Sequence, residues 1–195
     1  MKLKLLPLFE KFIISDNILD ISEPYDSINK IMIGDTIVYC LFGNVDYYDN
    51  RDSILAIKGK SENLHVDVSS YNRFLDEFKT RFNSIPELRL CELLVSIETT
   101  ARVNSDIMEK MDIPYVMNGL TKIDKNFRMR SIPKGERENV SDIFNLNFDI
   151  SNNSNICILD DFITTGSSFK NAFIKLPETI NKVGVCLFKL DSYAF

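Results

Sequence analysis

Hydrophobic residues recur along the chain in short runs of strand length, and several of these runs are separated by segments with helical spacing. The runs that we interpret as strands are IVYCLF, SILAIKG, LRLCELLVSI, IPYVM, NICILD and KVGVCLFKL. Strand-length runs that alternate with amphipathic helices are typical of α/β proteins. The pattern therefore predicts an α/β fold in which helices flank a parallel sheet.

Three segments place apolar residues on one helical face: SSYNRFLDEFKTRF, ARVNSDIMEKM and SSFKNAFIKL. The apolar positions of the three faces are Phe74, Phe78 and Phe82; Ile107, Met108 and Met111; and Phe169, Ala172, Phe173 and Leu176. Apolar residues three or four positions apart share a helix face and are expected in the core. We expect the second helix to begin at Asn104 or Ser105, because both residue types favour helix starts.

Composition narrows the class of protein. Of the 195 residues, 45% are hydrophobic and 26% are charged, as in globular proteins, and the net charge is −5. An acidic chain has no overall attraction to nucleic acid or anionic membrane. No apolar run is long enough to span a bilayer, and Pro7, Glu10 and Lys11 interrupt the apolar start of the chain. We therefore expect a cytoplasmic protein without membrane contacts.

The cysteines and the single histidine do not indicate a metal centre. The four cysteines are far apart in sequence and form no C-x-x-C pair, and three of them lie within the apolar runs IVYCLF, NICILD and KVGVCLFKL. We interpret all four as buried, reduced thiols. His65 has no evident catalytic partner, so we interpret it as a surface or packing residue.

Residues 155–173, NICILDDFITTGSSFKNAF, combine a strand, a polar loop and a helix. Asp160 and Asp161 end the strand, at the sheet edge where open α/β proteins bind ligands. The hydroxyls and backbone N–H groups that follow at the helix start suit a phosphate, and the residues concerned are Thr164, Thr165, Gly166, Ser167 and Ser168. A ribose 5-phosphate would offer hydroxyls to the acids and its phosphate to the loop. Alternatively, the acids merely end the strand and TTGSS caps the helix.

The order of residues in ICILDDFITTGSS resembles the phosphoribosyl pyrophosphate (PRPP) motif of type I phosphoribosyltransferases. Residues 90–190 are similar in particular to ComF-like proteins, a phosphoribosyltransferase-like family linked to DNA uptake. The similarity includes Arg102 and Asn104 in ETTARVN and the R-x-N-V pattern of Arg137, Asn139 and Val140. The cysteine-rich zinc ribbon that often precedes ComF-like domains has no counterpart here.

The resemblance implies a type I phosphoribosyltransferase-like parallel sheet with a small N-terminal extension or hood. We place the extension at residues 1–85 and the core at 86–195. The resemblance implies that Asp160 and Asp161 hold the ribose 2- and 3-hydroxyls, directly or through Mg²⁺ that binds with the ligand, and that residues 164–168 hold the 5-phosphate. The loop with Thr99, Thr100 and Arg102 would contact pyrophosphate.

The segment Thr121–Glu138 carries six basic and three acidic residues in an acidic chain. Such a run is often a solvated face, but type I enzymes cover the departing pyrophosphate with a basic segment. We assign catalytic roles to Arg128 and Lys134, beside Asp160 and Asp161, and pyrophosphate contacts to Arg130 and Arg137. Gly166→Val is expected to block the ligand and to leave the fold largely intact.

These assignments predict a glycosyltransferase of nucleotide metabolism that transfers the phosphoribosyl group of PRPP to a nitrogenous acceptor and releases pyrophosphate. The sequence does not identify the acceptor, and a homodimer is compatible with the resemblance. The alternative is a non-catalytic regulator that responds to PRPP, or a ComF-like accessory protein that handles nucleic acid during DNA uptake. Phe127 within the basic segment is weak support for a contact with single-stranded nucleic acid.

Overall fold

The chain forms an α/β structure with helices on both faces of a central sheet. The computed structural model describes residues 11–13, 18–20, 28–45, 58, 68–124, 132, 136 and 143–190. The strands are β1 (Lys11–Ile13), β2 (Ile18–Asp20), β3 (Asn29–Ile33), β4 (Thr36–Cys40), β5 (Asn44–Val45), β6 (Leu93–Ile97), β7 (Tyr115–Lys122), β8 (Phe144–Leu146), β9 (Asn155–Leu159), β10 (Phe162–Ile163), β11 (Asn181–Cys186) and β12 (Phe188–Leu190). The helices are α1 (Val68–Ser84), α2 (Pro86–Arg89), α3 (Arg102–Lys110) and α4 (Ser167–Lys175).

Seven strands form the central sheet in the order β3-β4-β11-β9-β6-β7-β8. The inner strands from β4 to β7 are parallel to one another. The edge strands β3 and β8 are antiparallel to their neighbours. The predicted α/β class with a largely parallel sheet is therefore confirmed.

Two apolar cores fill the spaces between this sheet and its helices. The phenylalanines of α1 and the apolar face of α3 pack on one side of the sheet, together with Leu94, Cys157 and Val185. Helix α4 packs on the other side, where Val95 and Ile158 also point. Neighbouring strand residues thus alternate between the two cores, as the pleat of a β-strand requires. The three predicted helix faces are confirmed as buried.

The sheet crosses the boundary that we expected at residue 85. Strands β3 and β4 come from the first 85 residues, and β4 pairs in parallel with β11 from the second part of the chain. Helix α1 lies before that boundary, and it contacts α3, which lies after it. The division of the chain into an extension and a core stays a prediction.

Two element boundaries were wrong. Helix α3 begins at Arg102, with Ala101 at its N-cap, and not at Asn104 or Ser105. The strand-like run LRLCELLVSI begins as helix α2, because Pro86 is favoured in a first helical turn and starts this one; the strand itself begins at Leu93. The strand predicted at SILAIKG lies outside the described residues except for Lys58, and so does His65.

The chain reverses its direction of winding between β6 and β9. From β6 it passes through α3 to β7 on one side, and from β9 it passes through α4 to β11 on the other side. The loops after β6 and β9 consequently diverge at the carboxyl edge of the sheet. Such a topological switch point is where open α/β sheets bind their ligands.

Candidate functional site

Asp160 and Asp161 lie at the switch point, in the break between β9 and β10. The backbone N–H of Asp160 donates to the Val185 carbonyl at 3.2 Å, and the Leu187 N–H donates to the Asp161 carbonyl at 3.0 Å. Both aspartates are buried. Hydrogen bonds to β11 and to the residue after it therefore fix the backbone of both acidic residues.

The two carboxylates accept hydrogen bonds from their own loop. Asp160 Oδ1 accepts from the Asp161 N–H, and Asp161 Oδ1 accepts from the Phe162 N–H, both at 2.9 Å. Burial and the neighbouring charge of Asp161 raise the pKa of Asp160 well above its usual range. A carboxyl group that resists ionisation in a cleft is a common feature of functional sites.

Lys58, which no sequence motif indicated, contacts this pair of acids. Its Nζ lies 2.9 Å from Asp161 Oδ2 and 4.5 Å from the centre of the Phe162 ring. More than one hundred residues separate Lys58 from Asp161 along the chain. Only the fold brings them together, so no local sequence signal could have revealed the contact.

The loop at residues 164–168 forms the start of helix α4, as predicted. Gly166 is the N-cap residue with φ +81°, and the cap has no side-chain hydrogen bond. The hydroxyls of Thr165 and Ser167 lie 2.8 Å apart. Asp160 and residues 162–169 line a cavity of about 30 Å³, room for about two water molecules. Hydroxyls and a helix N-terminus around a small cavity suit a phosphate group.

Gly166 has a structural role in this loop. A side chain at φ +81° is strained, and a Cβ added there would lie 2.6 Å from Cδ1 of Ile33. Gly166→Val should therefore cost stability, and the expectation that it leaves the fold largely intact stays a prediction.

The loop after β6, predicted to contact pyrophosphate, approaches the site through its backbone. Thr99 Oγ1 accepts a hydrogen bond from the Ala101 N–H, and the Arg102 N–H donates to the Lys58 carbonyl at 3.2 Å. The Arg102 side chain is 78% exposed and pairs with Asp106 at 3.3 Å. Glu98 Oε2 accepts from the Lys122 N–H. Lys58 therefore links the loop after β6 to the acids after β9.

The start of the basic segment is described, and so are residues 143–146 beyond its end. Lys122 pairs with Phe144 across β7 and β8, and the Ile123 N–H donates to the Ile143 carbonyl. The chain thus leaves the sheet at the carboxyl end of β7 and rejoins it beside that end, at the start of β8. Four residues to which we assigned roles lie outside the described residues: Arg128, Arg130, Lys134 and Arg137.

The residues present do not fit a magnesium ion held by the protein alone. In the described part of the chain, no group of three or more His, Cys, Asp or Glu side chains could hold a metal. One oxygen of each aspartate accepts a backbone N–H, and the second oxygen of Asp161 contacts Lys58. Magnesium that binds together with a ligand stays a prediction.

The four cysteines are confirmed as buried free thiols. Cys40 and Cys186 are neighbours on β4 and β11, and their sulfurs lie 3.2 Å apart. None of the helices among the described residues has both the length and the apolar composition that crossing a membrane requires.

A larger cavity of about 280 Å³ lies at the opposite, amino-terminal edge of the sheet. Its lining includes Glu87 in α2, Leu90 at the end of α2, Asn155 at the start of β9 and Asn181 at the start of β11. Those predicted site residues that the structure describes lie at the other edge, where the strands end and the winding reverses. We therefore place the candidate site at the carboxyl edge.

No protein-family model matches this chain, and a search of curated proteins found no significant match. The function is therefore inferred from the arrangement of the residues themselves.

Proposed function

We propose that this protein binds PRPP and transfers its phosphoribosyl group to a nitrogenous acceptor, with release of pyrophosphate. The observation that supports the proposal is the arrangement of residues 160–168 at the switch point of the sheet. Two buried acids lie there, and one of them, Asp160, lines a small cavity together with hydroxyls and a helix N-terminus. One end of a ribose 5-phosphate offers hydroxyls and the other offers an anion, which matches these two parts of the site.

In the proposed complex, Asp160 and Asp161 accept hydrogen bonds from the ribose 2- and 3-hydroxyls. Residues 164–168 donate to the 5-phosphate, and the loop with Thr99, Thr100 and Arg102 faces the pyrophosphate. The acceptor nitrogen forms a bond to C1 while the bond from C1 to the pyrophosphate oxygen breaks and pyrophosphate takes the electron pair. Positioned cations and N–H donors stabilise that developing charge. Arg128, Arg130, Lys134 and Arg137 are the proposed side-chain sources of positive charge.

Calorimetric titration with PRPP tests the binding site. The Asp160→Asn, Asp161→Asn double variant should lose at least tenfold in affinity, because amides bind the diol less strongly than carboxylates do. Asp112→Asn is the control, since Asp112 is exposed, pairs with Lys79 and lies before β7 at the opposite edge of the sheet. Equal PRPP affinity in wild type and double variant would overturn the site assignment.

Pyrophosphate release measured with a panel of nucleobases and amines separates the enzyme from a regulator. An enzyme releases pyrophosphate with at least one acceptor, and the double variant does not. PRPP binding without release from any acceptor would favour the PRPP-responsive regulator instead.

A further inference from the structure

Lys58 joins two loops that are otherwise distant in sequence. Its ammonium group contacts Asp161 after β9, and its carbonyl accepts the N–H of Arg102 at the start of α3. The Lys58 side chain is 21% exposed, so water or a ligand can reach it. It therefore lies between the acids proposed to bind ribose and the loop proposed to face pyrophosphate.

The contacts of Asp161 leave little room for a second cation. Its Oδ1 accepts the Phe162 N–H and its Oδ2 contacts the Lys58 ammonium group. A divalent ion on Oδ2 would stand within a few ångströms of the ammonium group, and like charges at that distance repel strongly where water is scarce. Lys58 and a metal ion are consequently alternatives at this carboxylate.

The Lys58 ammonium group retains the capacity to bind an anion. An ammonium group has three N–H donors, and one of them is directed to Asp161. The Lys58 Nζ also lies 4.5 Å from the centre of the Phe162 ring, where a cation–π interaction stabilises its positive charge. A phosphorylated ligand whose hydroxyls contact Asp161 would bring its anionic group close to the remaining donors.

We propose that Lys58 is a ligand-binding residue that takes the place of a divalent cation at Asp161. It neutralises that carboxylate and donates to the anionic group of a ligand that also carries hydroxyls. This inference rests on the proposed function for the identity of the ligand, but the exclusion of metal from Asp161 is independent of it.

The first experiment uses Mn²⁺ alone as the probe, with binding to the ligand-free protein measured by electron paramagnetic resonance at pH 7.5. Lys58→Met frees Oδ2 and should bind Mn²⁺ at least tenfold more tightly than wild type. Addition of Asp161→Asn to that variant should abolish the gain. Lys79→Met, which breaks an ion pair with the exposed Asp112, and Lys58→Arg, which keeps the charge, should both behave as wild type.

Absence of a gain in folded Lys58→Met, as judged by circular dichroism, would overturn the inference. If Lys58→Met does not fold, Lys58→Gln replaces it, and the same outcomes apply.

The second experiment measures PRPP affinity with Mg²⁺ and with a chelator. Wild type should bind within about threefold in the two conditions, whereas Lys58→Met should lose at least tenfold in chelator and regain affinity with Mg²⁺. Wild-type binding that requires Mg²⁺ would overturn the ligand-binding role of Lys58. If wild type binds no PRPP in either condition, the proposed function fails together with that role, while the Mn²⁺ result still decides whether Lys58 excludes metal.

Discussion

Asp160 and Asp161 are adjacent in sequence, but they differ in their surroundings. Lys58 neutralises Asp161 through a contact at 2.9 Å, whereas burial and the charge of Asp161 raise the pKa of Asp160. The sequence predicted both acids and their position at the strand end, because those features are local. It could not predict this difference, since the cation comes from a distant turn.

The two acids should have opposite effects on stability at neutral pH. Between the usual pKa of an aspartate and the raised pKa of Asp160, the folded state holds a proton that the unfolded state has lost, so stability falls as pH rises through that window. Asp160→Asn removes the ionisable group and should raise the free energy of unfolding at pH 7 above that of wild type. The difference should vanish below about pH 4, where the carboxyl is protonated in both states.

Asp161→Asn should instead lower the free energy of unfolding at pH 7 by about 1 to 3 kcal/mol, because a partly buried ammonium group loses its partner. Urea denaturation of wild type and both variants at pH 4 and pH 7 measures the effect. Destabilisation by both substitutions at pH 7 would contradict the assigned environment of Asp160.

Among the secondary-structure elements, the buried faces of the helices could be predicted from the spacing of apolar residues. The start of one helix and the packing of another could not, because they depend on individual contacts. The apolar faces of α1, α3 and α4 are buried as expected, because helical spacing alone brings their residues together. The predicted start of α3 was wrong because the N-cap residue is Ala101, whose side chain cannot accept a hydrogen bond from the first turn of the helix. The packing of the α4 start against β3 was missed because Ile33 and Gly166 are distant in sequence.

Alanine substitution of two glycines separates the cost of backbone strain from the cost of the contact with Ile33. Gly34 and Gly166 have φ +60° and +81°, but a Cβ at Gly34 would meet no atom within 4 Å. Gly34→Ala should cost about 1 to 2 kcal/mol from backbone strain alone. Gly166→Ala should cost about 1 kcal/mol more, because Ile33 must leave its preferred rotamer.

Denaturation of both alanine variants, and of Gly166→Ala combined with Ile33→Ala, measures this coupling. The combined variant should lose less than the sum of its two single substitutions. Additive losses would show that Ile33 does not restrict residue 166.

At the scale of the whole molecule, one aromatic cluster spans the predicted boundary at residue 85. Phe42 stacks on Phe74 of α1 with ring centres 4.7 Å apart, and it lies 5.6 Å from Phe188 of β12. Phe188 in turn stacks on Phe162, directly after the two acids. The sequence predicted the apolar runs but not their pairing, so it gave no sign that the first part of the chain adjoins the site.

This arrangement predicts that residues 86–195 do not fold without residues 1–85. Removal of the first part would expose the edge of β11 and the ring of Phe188, which is fully buried in the intact chain. Loss of one buried phenylalanine side chain from a core costs about 3 to 5 kcal/mol, and a whole domain is stable by only about 5 to 15 kcal/mol. The full chain should therefore unfold in one transition by circular dichroism and by tyrosine fluorescence. The isolated fragment 86–195 should lack a cooperative transition, and co-expression with residues 1–85 should restore it. A fragment that melts cooperatively on its own would instead support the predicted division into an extension and an independent core.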